Sequence, residues 1–447
     1  MVKMERVHNM KTGLGFWLGM EMAGSLLVKG INKPKEKDLF PKAIYSNPFV
    51  MPRLYHPVWG NTFIYHKGKV VDNSKAEQIG NQIKERIEEI ENTTLLPVST
   101  VTGANTISIK LKPMNNIKKA YSMQRQIKYA VGREDIRIYN EGDKIVVEIP
   151  NKGETVLFGD FMNNPKYRMI KDKTVVPIGQ NEKGEEIYGD LAKMPHMLVA
   201  GQTGSGKSVF LNTVITALLM KNSPLDMKMI LIDPKMVEFD RFKPIHHVRY
   251  VSETSEAVSV LQQLCNEMDR RYAILAQAGC RDIDDYNSTS KKKMPKIVLV
   301  IDELADMMGN KQYKKGVEQN IVRIAQKSRA SGIHMILATQ RPSTNIITGV
   351  IKANIPCRVA LRVFSNIDSR VILDKSGAEL LNGYGDMLYI DGQSPKVTRL
   401  QGGFITKREM ENVIYQLVQD NQPDNQFKID LENASDDFRM RYKEYYG

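Results

Sequence analysis

The chain has 447 residues and carries 64 lysines and arginines against 51 aspartates and glutamates, a formal net charge of +13. Hydrophobic residues at 42% and charged residues at 26% exclude a disordered or fibrous chain and leave room for two or three globular domains. Three cysteines (Cys265, Cys280, Cys357) and seven histidines show neither a disulfide framework nor a metal spacing. A reducing, cytoplasmic setting is therefore expected, and the basic excess points to a polyanionic partner, nucleic acid or an anionic membrane surface.

In chain order, residues 1–70 read as an irregular extension, with a charged linker at Lys33-Pro34-Lys35-Glu36-Lys37 and prolines at 41, 48, 52 and 57. Within it, residues 13–28 are apolar, but the run is shorter than the ~20 residues of a spanning helix and holds Glu21. Lys3, Arg6 and Lys11 precede it, yet no small-residue cleavage site follows. A packed or interfacial helix is expected there; membrane contact through 13–28 is the less favoured alternative.

Residues 71–160 read as a small α+β domain. Ile79, Ile83, Ile87 and Ile90 share one face of a helix over Ala76–Glu91. An alternating strand follows at Thr106–Lys112, then a helix over Ile117–Val131. Strands Asp135–Tyr139 and Lys144–Ile149 are joined at Asn140-Glu141-Gly142-Asp143. Residues 161–420 alternate apolar strands with long helices, as a mainly parallel α/β sheet requires. The strands are placed at Met197–Ala200, Met229–Ile232, Ile297–Ile301, Met335–Ala338, Val359–Val363 and Met387–Ile390, with a last helix at Lys407–Asp420. Residues 421–447 form a polar tail, acidic at Asp436-Asp437 and expected to be partly disordered.

Gly201-Gln202-Thr203-Gly204-Ser205-Gly206-Lys207-Ser208 fits Gly-x-x-x-x-Gly-Lys-Ser at every fixed position, between an apolar strand and an apolar-periodic helix. Backbone N–H groups of such a loop and the start of its helix cradle phosphates, so the segment is expected to bind ATP. Lys207 would reach the outer phosphates and Ser208 would ligate Mg²⁺. Lys296 to Ile301 is a buried strand ending in Asp302-Glu303, at the edge of a parallel sheet where ligands bind. Asp302 would hold Mg²⁺ through water and Glu303 would act as general base on the attacking water. A plainer role, two acids capping the next helix, is weakened by the preceding phosphate loop. Gln340, in Ala338-Thr339-Gln340-Arg341-Pro342, is placed to contact the γ-phosphate or its water; a polar turn is the alternative. Asp233-Pro234-Lys235 lies at the same edge.

Further strings carry a family resemblance. They are Asp190-Leu191-Ala192-Lys193-Met194-Pro195-His196, Ile232-Asp233-Pro234-Lys235-Met236, Met268-Asp269-Arg270-Arg271-Tyr272 and Val300-Ile301-Asp302-Glu303-Leu304-Ala305-Asp306. Then come Ala338-Thr339-Gln340-Arg341-Pro342-Ser343, Ile347-Thr348-Gly349 through Ile355-Pro356, Ile367-Asp368-Ser369-Arg370 and Gly385-Asp386-Met387-Leu388-Tyr389. In this order, from about Thr102 to Phe404, the chain resembles the motor of the FtsK/SpoIIIE family of DNA translocases. The resemblance implies a RecA-like P-loop ATPase preceded by a small α+β domain, and a homohexameric ring around double-stranded DNA. ATP sites would lie between subunits and be completed by an arginine in trans, for which Arg358 is the first candidate, with Lys327 and Arg329 as further interface residues. Arg370 is similar to a pore-facing family position and is expected to contact DNA phosphates, with Lys375 and Asp368 nearby. Such contacts grip without reading sequence.

Septal members carry membrane helices before the motor, and many carry a winged-helix domain after it; neither is evident here, so septal anchoring and sequence-guided direction are not expected. The resemblance leans towards short relatives on phages, plasmids and conjugative elements. Competing readings are a coupling ATPase delivering single-stranded DNA, a secretion-system ATPase acting on proteins, and a non-hydrolysing scaffold. Intact Lys207, Ser208, Asp302 and Glu303 argue against the last.

Overall fold

The computed structural model describes Phe63, His66 and residues 72–420, apart from 92–93, 105, 115–119 and 152–154. The apolar segment 13–28 and the tail 421–447 lie outside the described residues.

The first sheet is antiparallel throughout, in the order β1-β2-β4-β3, with β1 at Leu95–Thr102, β2 at Thr106–Pro113, β3 at Arg137–Glu141 and β4 at Lys144–Pro150. Helices Ser74–Glu91 and Ala120–Val131 pack on it through Ile83, Ile87, Met123 and Ile127, which meet Ile107, Ile109, Ile145 and Val147. The predicted helix and strand are present, and so is the hairpin, but its first strand falls at Arg137–Glu141 instead of Asp135–Tyr139, so Asn140 and Glu141 pair with Ile145 and Lys144 and the turn is reduced to Gly142-Asp143. The second helix begins at Ala120, and the expected start at Ile117 lies outside the described residues.

The second sheet has ten strands in the order β6-β5-β14-β13-β12-β7-β11-β10-β8-β9. They are β5 Val175–Gln180, β6 Glu186–Asp190, β7 His196–Ala200, β8 Met227–Ile232, β9 Val248–Val251, β10 Lys296–Ile301, β11 Ile333–Thr339, β12 Cys357–Leu361, β13 Asp386–Ile390 and β14 Thr398–Gln401. From β12 to β9 all pairings are parallel, and from β12 to β6 all are antiparallel. Both faces are covered, which explains the nearly unbroken apolar strands. Met197 and Val199 face helices Lys207–Lys221 and Lys407–Asp420, while Leu198 and Ala200 face Thr254–Ala278 and Lys311–Lys327.

Two expectations change. The strand placed at Val359–Val363 is found at Cys357–Leu361, because the chain then turns to meet the phosphate loop, where Gln202 N donates to Arg362 O at 2.8 Å. β13 runs antiparallel to β12 instead of extending the parallel set. The connection between them stays at the phosphate-loop edge, where Gly385 N donates to Ser205 O at 2.8 Å, so β13 starts from the edge at which β12 ends.

The two sheets are joined by a buried ion cluster. Arg399 of β14 donates to Asp386 of β13 at 3.0 and 2.6 Å and to Glu148 of β4 at 3.0 Å. Glu148 also accepts from Arg137 and from Tyr139 OH, both at 2.9 Å. Phe63 packs edge-on to Phe158 in the large core. Among the described residues, no helix is long and apolar enough to cross a membrane.

Candidate active site

The phosphate loop follows β7, which lies between β12 and β11 in the parallel set, and leads into the buried helix Lys207–Lys221. Gly206 has φ +100, and a Cβ there would fall 2.4 Å from Gly385 N, so both the backbone conformation and the lack of space demand glycine. Within the loop the buried Ser205 Oγ and Gln202 Oε1 have no partner, as expected where a polar ligand completes the bonding.

Parallel pairing brings the ends of β8, β10, β11 and β7 to one edge, since Ile301 aligns with both Ile232 and Leu337, and Thr339 with Ala200. Asp233, Asp302, Gln340 and Gly201 therefore converge without any local sequence connection. Lys207 Nζ donates to Asp302 Oδ1 at 2.6 Å and to Asp302 O at 2.7 Å, in a pair that is 3% and 1% exposed. Burial raises the Asp302 carboxyl above its ordinary value, helped by the neighbouring Glu238 and Asp233 charges and opposed by Lys207.

Glu303 is held by its neighbours. Its Oε1 accepts from Thr339 Oγ1 at 2.6 Å, and its two oxygens accept from Gln340 N at 3.2 and 3.1 Å. Lys235 Nζ stands 3.5 Å from Oε2. Thr203 Oγ1 donates to Gln340 Oε1 at 2.8 Å, tying the phosphate loop to the end of β11. The structure thus brings Lys207, Ser208, Asp302, Glu303 and Gln340 together. Helix capping is present as well, since Glu303 is the N-cap of Leu304–Met308, but it uses only a 3.4 Å contact to Ala305 N.

Ser208 Oγ donates to Glu238 Oε1 at 2.6 Å. Glu238 was not anticipated, because it lies in a turn built by Asp233, whose Oδ2 accepts from the N–H groups of Val237, Glu238 and Phe239 at 3.0, 2.9 and 3.0 Å. The Asp233-Pro234-Lys235 string pointed to this turn, but nothing in the spacing marked Glu238. The oxygen donors of Ser208, Asp302 and Glu238 suit Mg²⁺. No cluster of three metal-ligating His, Cys, Asp or Glu residues occurs among the described residues, so such an ion would take phosphate oxygens and water for the rest of its shell.

The other predicted residues stand apart. Arg358 pairs with Leu198, two residues short of the end of β7, and its side chain is engaged within its own chain. It donates to Asp374 Oδ2 at 2.7 Å and to Lys352 O at 3.2 Å. Lys327 and Arg329 line an open cavity with Lys296 and His334, at the amino ends of β10 and β11, opposite the phosphate loop. Arg370 is exposed on helix Asn366–Leu373, and Lys375 is exposed with Nζ 2.9 Å from Pro395 O.

Residues 160–344 match the model of the FtsK/SpoIIIE family. The chain is 40% identical over 330 residues to the DNA translocase SftA of Bacillus subtilis, covering 71% of this chain and 34% of that protein. It is 42% identical over 326 residues to the DNA translocase FtsK of Caldanaerobacter subterraneus subsp. tengcongensis, covering 71% and 46%. The chain thus spans less than half the length of these two relatives. Among solved structures, the pCW3 conjugation coupling protein TcpA, in monomer form with ATPgS, aligns at a TM-score of 0.55 and 25% identity, covering 76% of this chain and 99% of that one. With its phosphate loop, its Asp302-Glu303 strand end and these relatives, the chain belongs to the FtsK/SpoIIIE family.

Proposed function

We propose that the chain is an ATP-driven double-stranded DNA translocase that hydrolyses ATP at the subunit interfaces of a homohexameric ring, in the service of a phage, plasmid or conjugative element. Residues 71–160 and 161–420 are the small domain and the motor, flanked by the extension 1–70 and the tail 421–447. The observation that carries the reading is Glu303, fixed at the end of β10 by Thr339 and Gln340 beside the Lys207–Asp302 pair.

In this reading Lys207 exchanges Asp302 for phosphate oxygens when ATP enters, freeing the carboxylate. Ser208 and Asp302 would hold Mg²⁺, which would supply positive charge to offset that of the phosphates. Glu303 takes the proton of the attacking water, and Gln340, bonded to Thr203, links the phosphate loop to β11. Arg358 supplies charge to the neighbouring subunit's site after leaving Asp374. Arg370 and Lys375 contact DNA phosphates. The name of the relatives, DNA translocase, and the chain's +13 charge support DNA as the polymer.

The likeness to a conjugation coupling protein over 99% of its chain favours one second reading, delivery of single-stranded DNA. Measuring ATP turnover without polymer, with duplex DNA, with single-stranded DNA and with peptide separates these. Duplex stimulation that is lost in Glu303→Gln is expected. Preference for single strands would move the assignment to the second reading, and indifference to DNA would sink both.

A further inference from the structure

Tyr384 is 87% exposed, yet the backbone around it is tightly specified. Its φ is +51, between Gly383 at +85 and Gly385 at +90. Such a conformation is costly for a residue bearing a ring and persists only where the surroundings impose it. Here they do. Tyr384 O accepts from Gln401 Nε2 at 2.8 Å, Asp386 N donates to Gly383 O at 3.0 Å, and Gly402 N donates to Gly385 O at 2.9 Å. The turn also abuts the phosphate loop. Gly385 N donates to Ser205 O, and a Cβ on Gly206 would lie 3.1 Å from the carbonyl carbon of Tyr384. Gly383 and Gly385 are buried while the tyrosine between them faces solvent, so the ring adds nothing to the core.

Position then narrows the role. The groups for the terminal phosphate, Asp302, Glu303 and Gln340, follow β10 and β11 on one side of β7. The turn holding Tyr384 precedes β13, and β12 and β13 flank β7 on the other side. A triphosphate with its outer end at Glu303 runs along the loop and presents its base towards that other side. An exposed aromatic face held there at the loop is a stacking surface for a flat heterocycle. We infer that Tyr384 is the nucleobase platform of the ATP site. The inference rests on the ATP-binding reading above and names the residue that holds the base. Because stacking tolerates any base, the platform contributes affinity with little choice between ATP and GTP.

The test compares Tyr384→Asn, which tolerates positive φ but removes the ring, with Tyr384→Phe and Tyr384→Trp, which keep an aromatic face. Affinities for ATP, GTP and inorganic tripolyphosphate are measured by calorimetry on the full chain. Tyr384→Asn should weaken ATP and GTP on the order of tenfold, leave tripolyphosphate unchanged, and be matched by no loss in the Phe and Trp variants. Equal weakening of ATP and tripolyphosphate would mean that the residue shapes the loop and would overturn the platform. So would ATP affinity indifferent to Tyr384→Asn. Failure of the unsubstituted protein to bind ATP would overturn the platform together with the ATPase reading.

Discussion

Replacing Arg399 by Met tests how the small sheet is fastened to the large one. Arg399 is 5% exposed and forms two hydrogen bonds to Asp386 and one to Glu148, carboxylates that are 2% and 1% exposed. Without it Glu148 keeps Arg137 and Tyr139, while Asp386 keeps the neutral Asn382 N–H, at 2.8 Å. Removing one member of a buried ion cluster leaves unpaired charge in a poorly solvated site, which costs about 3–5 kcal/mol. Equilibrium urea unfolding should show this loss at pH 7, with a separate early transition if the small sheet detaches first. The pH dependence has a definite sign. Burial alone would raise the Glu148 carboxyl, but Arg137 and Arg399 outweigh it and hold it below its ordinary value. Its stabilising contribution is therefore complete above the unfolded value, near pH 4.5, and is lost as pH falls through the lower folded value. Without Arg399, Glu148 accepts its proton at higher pH than in the wild type, so the gap between variant and wild type should hold from pH 7 to about 4.5 and narrow below it. A loss below about 1 kcal/mol, or a gap that widens on acidification, would refute the reasoning.

Three other outcomes are expected. Thr339→Val removes the hydroxyl that donates to Glu303; a hydrogen bond to a charged group is worth about 1.5–3 kcal/mol, so turnover should fall on the order of tenfold or more with ATP affinity little changed, as steady-state kinetics would show. Arg358→Ala and Lys207→Ala should each be inactive alone but regain activity when mixed; a mixture as inactive as its components would remove Arg358 from the neighbouring site. Arg370→Ala should lower the salt slope of duplex binding by about one per contact in each protomer, and an unchanged slope would place Arg370 away from the phosphates.

The centre of the large sheet was readable because β7, β8, β10 and β11 are apolar runs buried on both faces, with β7 leading into the phosphate loop and the other three ending in a polar group at the ligand edge. The margins were not. β1 is an edge strand with Leu96 and Val98 exposed and Pro97 at a register shift, so neither alternation nor propensity marks it. β5 carries Pro177 at a similar irregularity. β14 hides Arg399 in a strand of only four residues, and only its partners on β4 and β13 make that burial tolerable. Within the site, the motif residues were legible because phosphate chemistry fixes their spacing. Glu238 and Thr339 were not, because each acts through a partner brought close by the fold.

The central claim is movement along duplex DNA driven by Glu303-dependent hydrolysis. Displacement of a third strand from a triplex-bearing duplex measures it directly. The account predicts ATP-dependent displacement by the wild-type protein and none by Glu303→Gln, which still binds ATP and duplex. Displacement that proceeds equally without ATP or in Glu303→Gln, or its absence while duplex DNA stimulates hydrolysis, would contradict it.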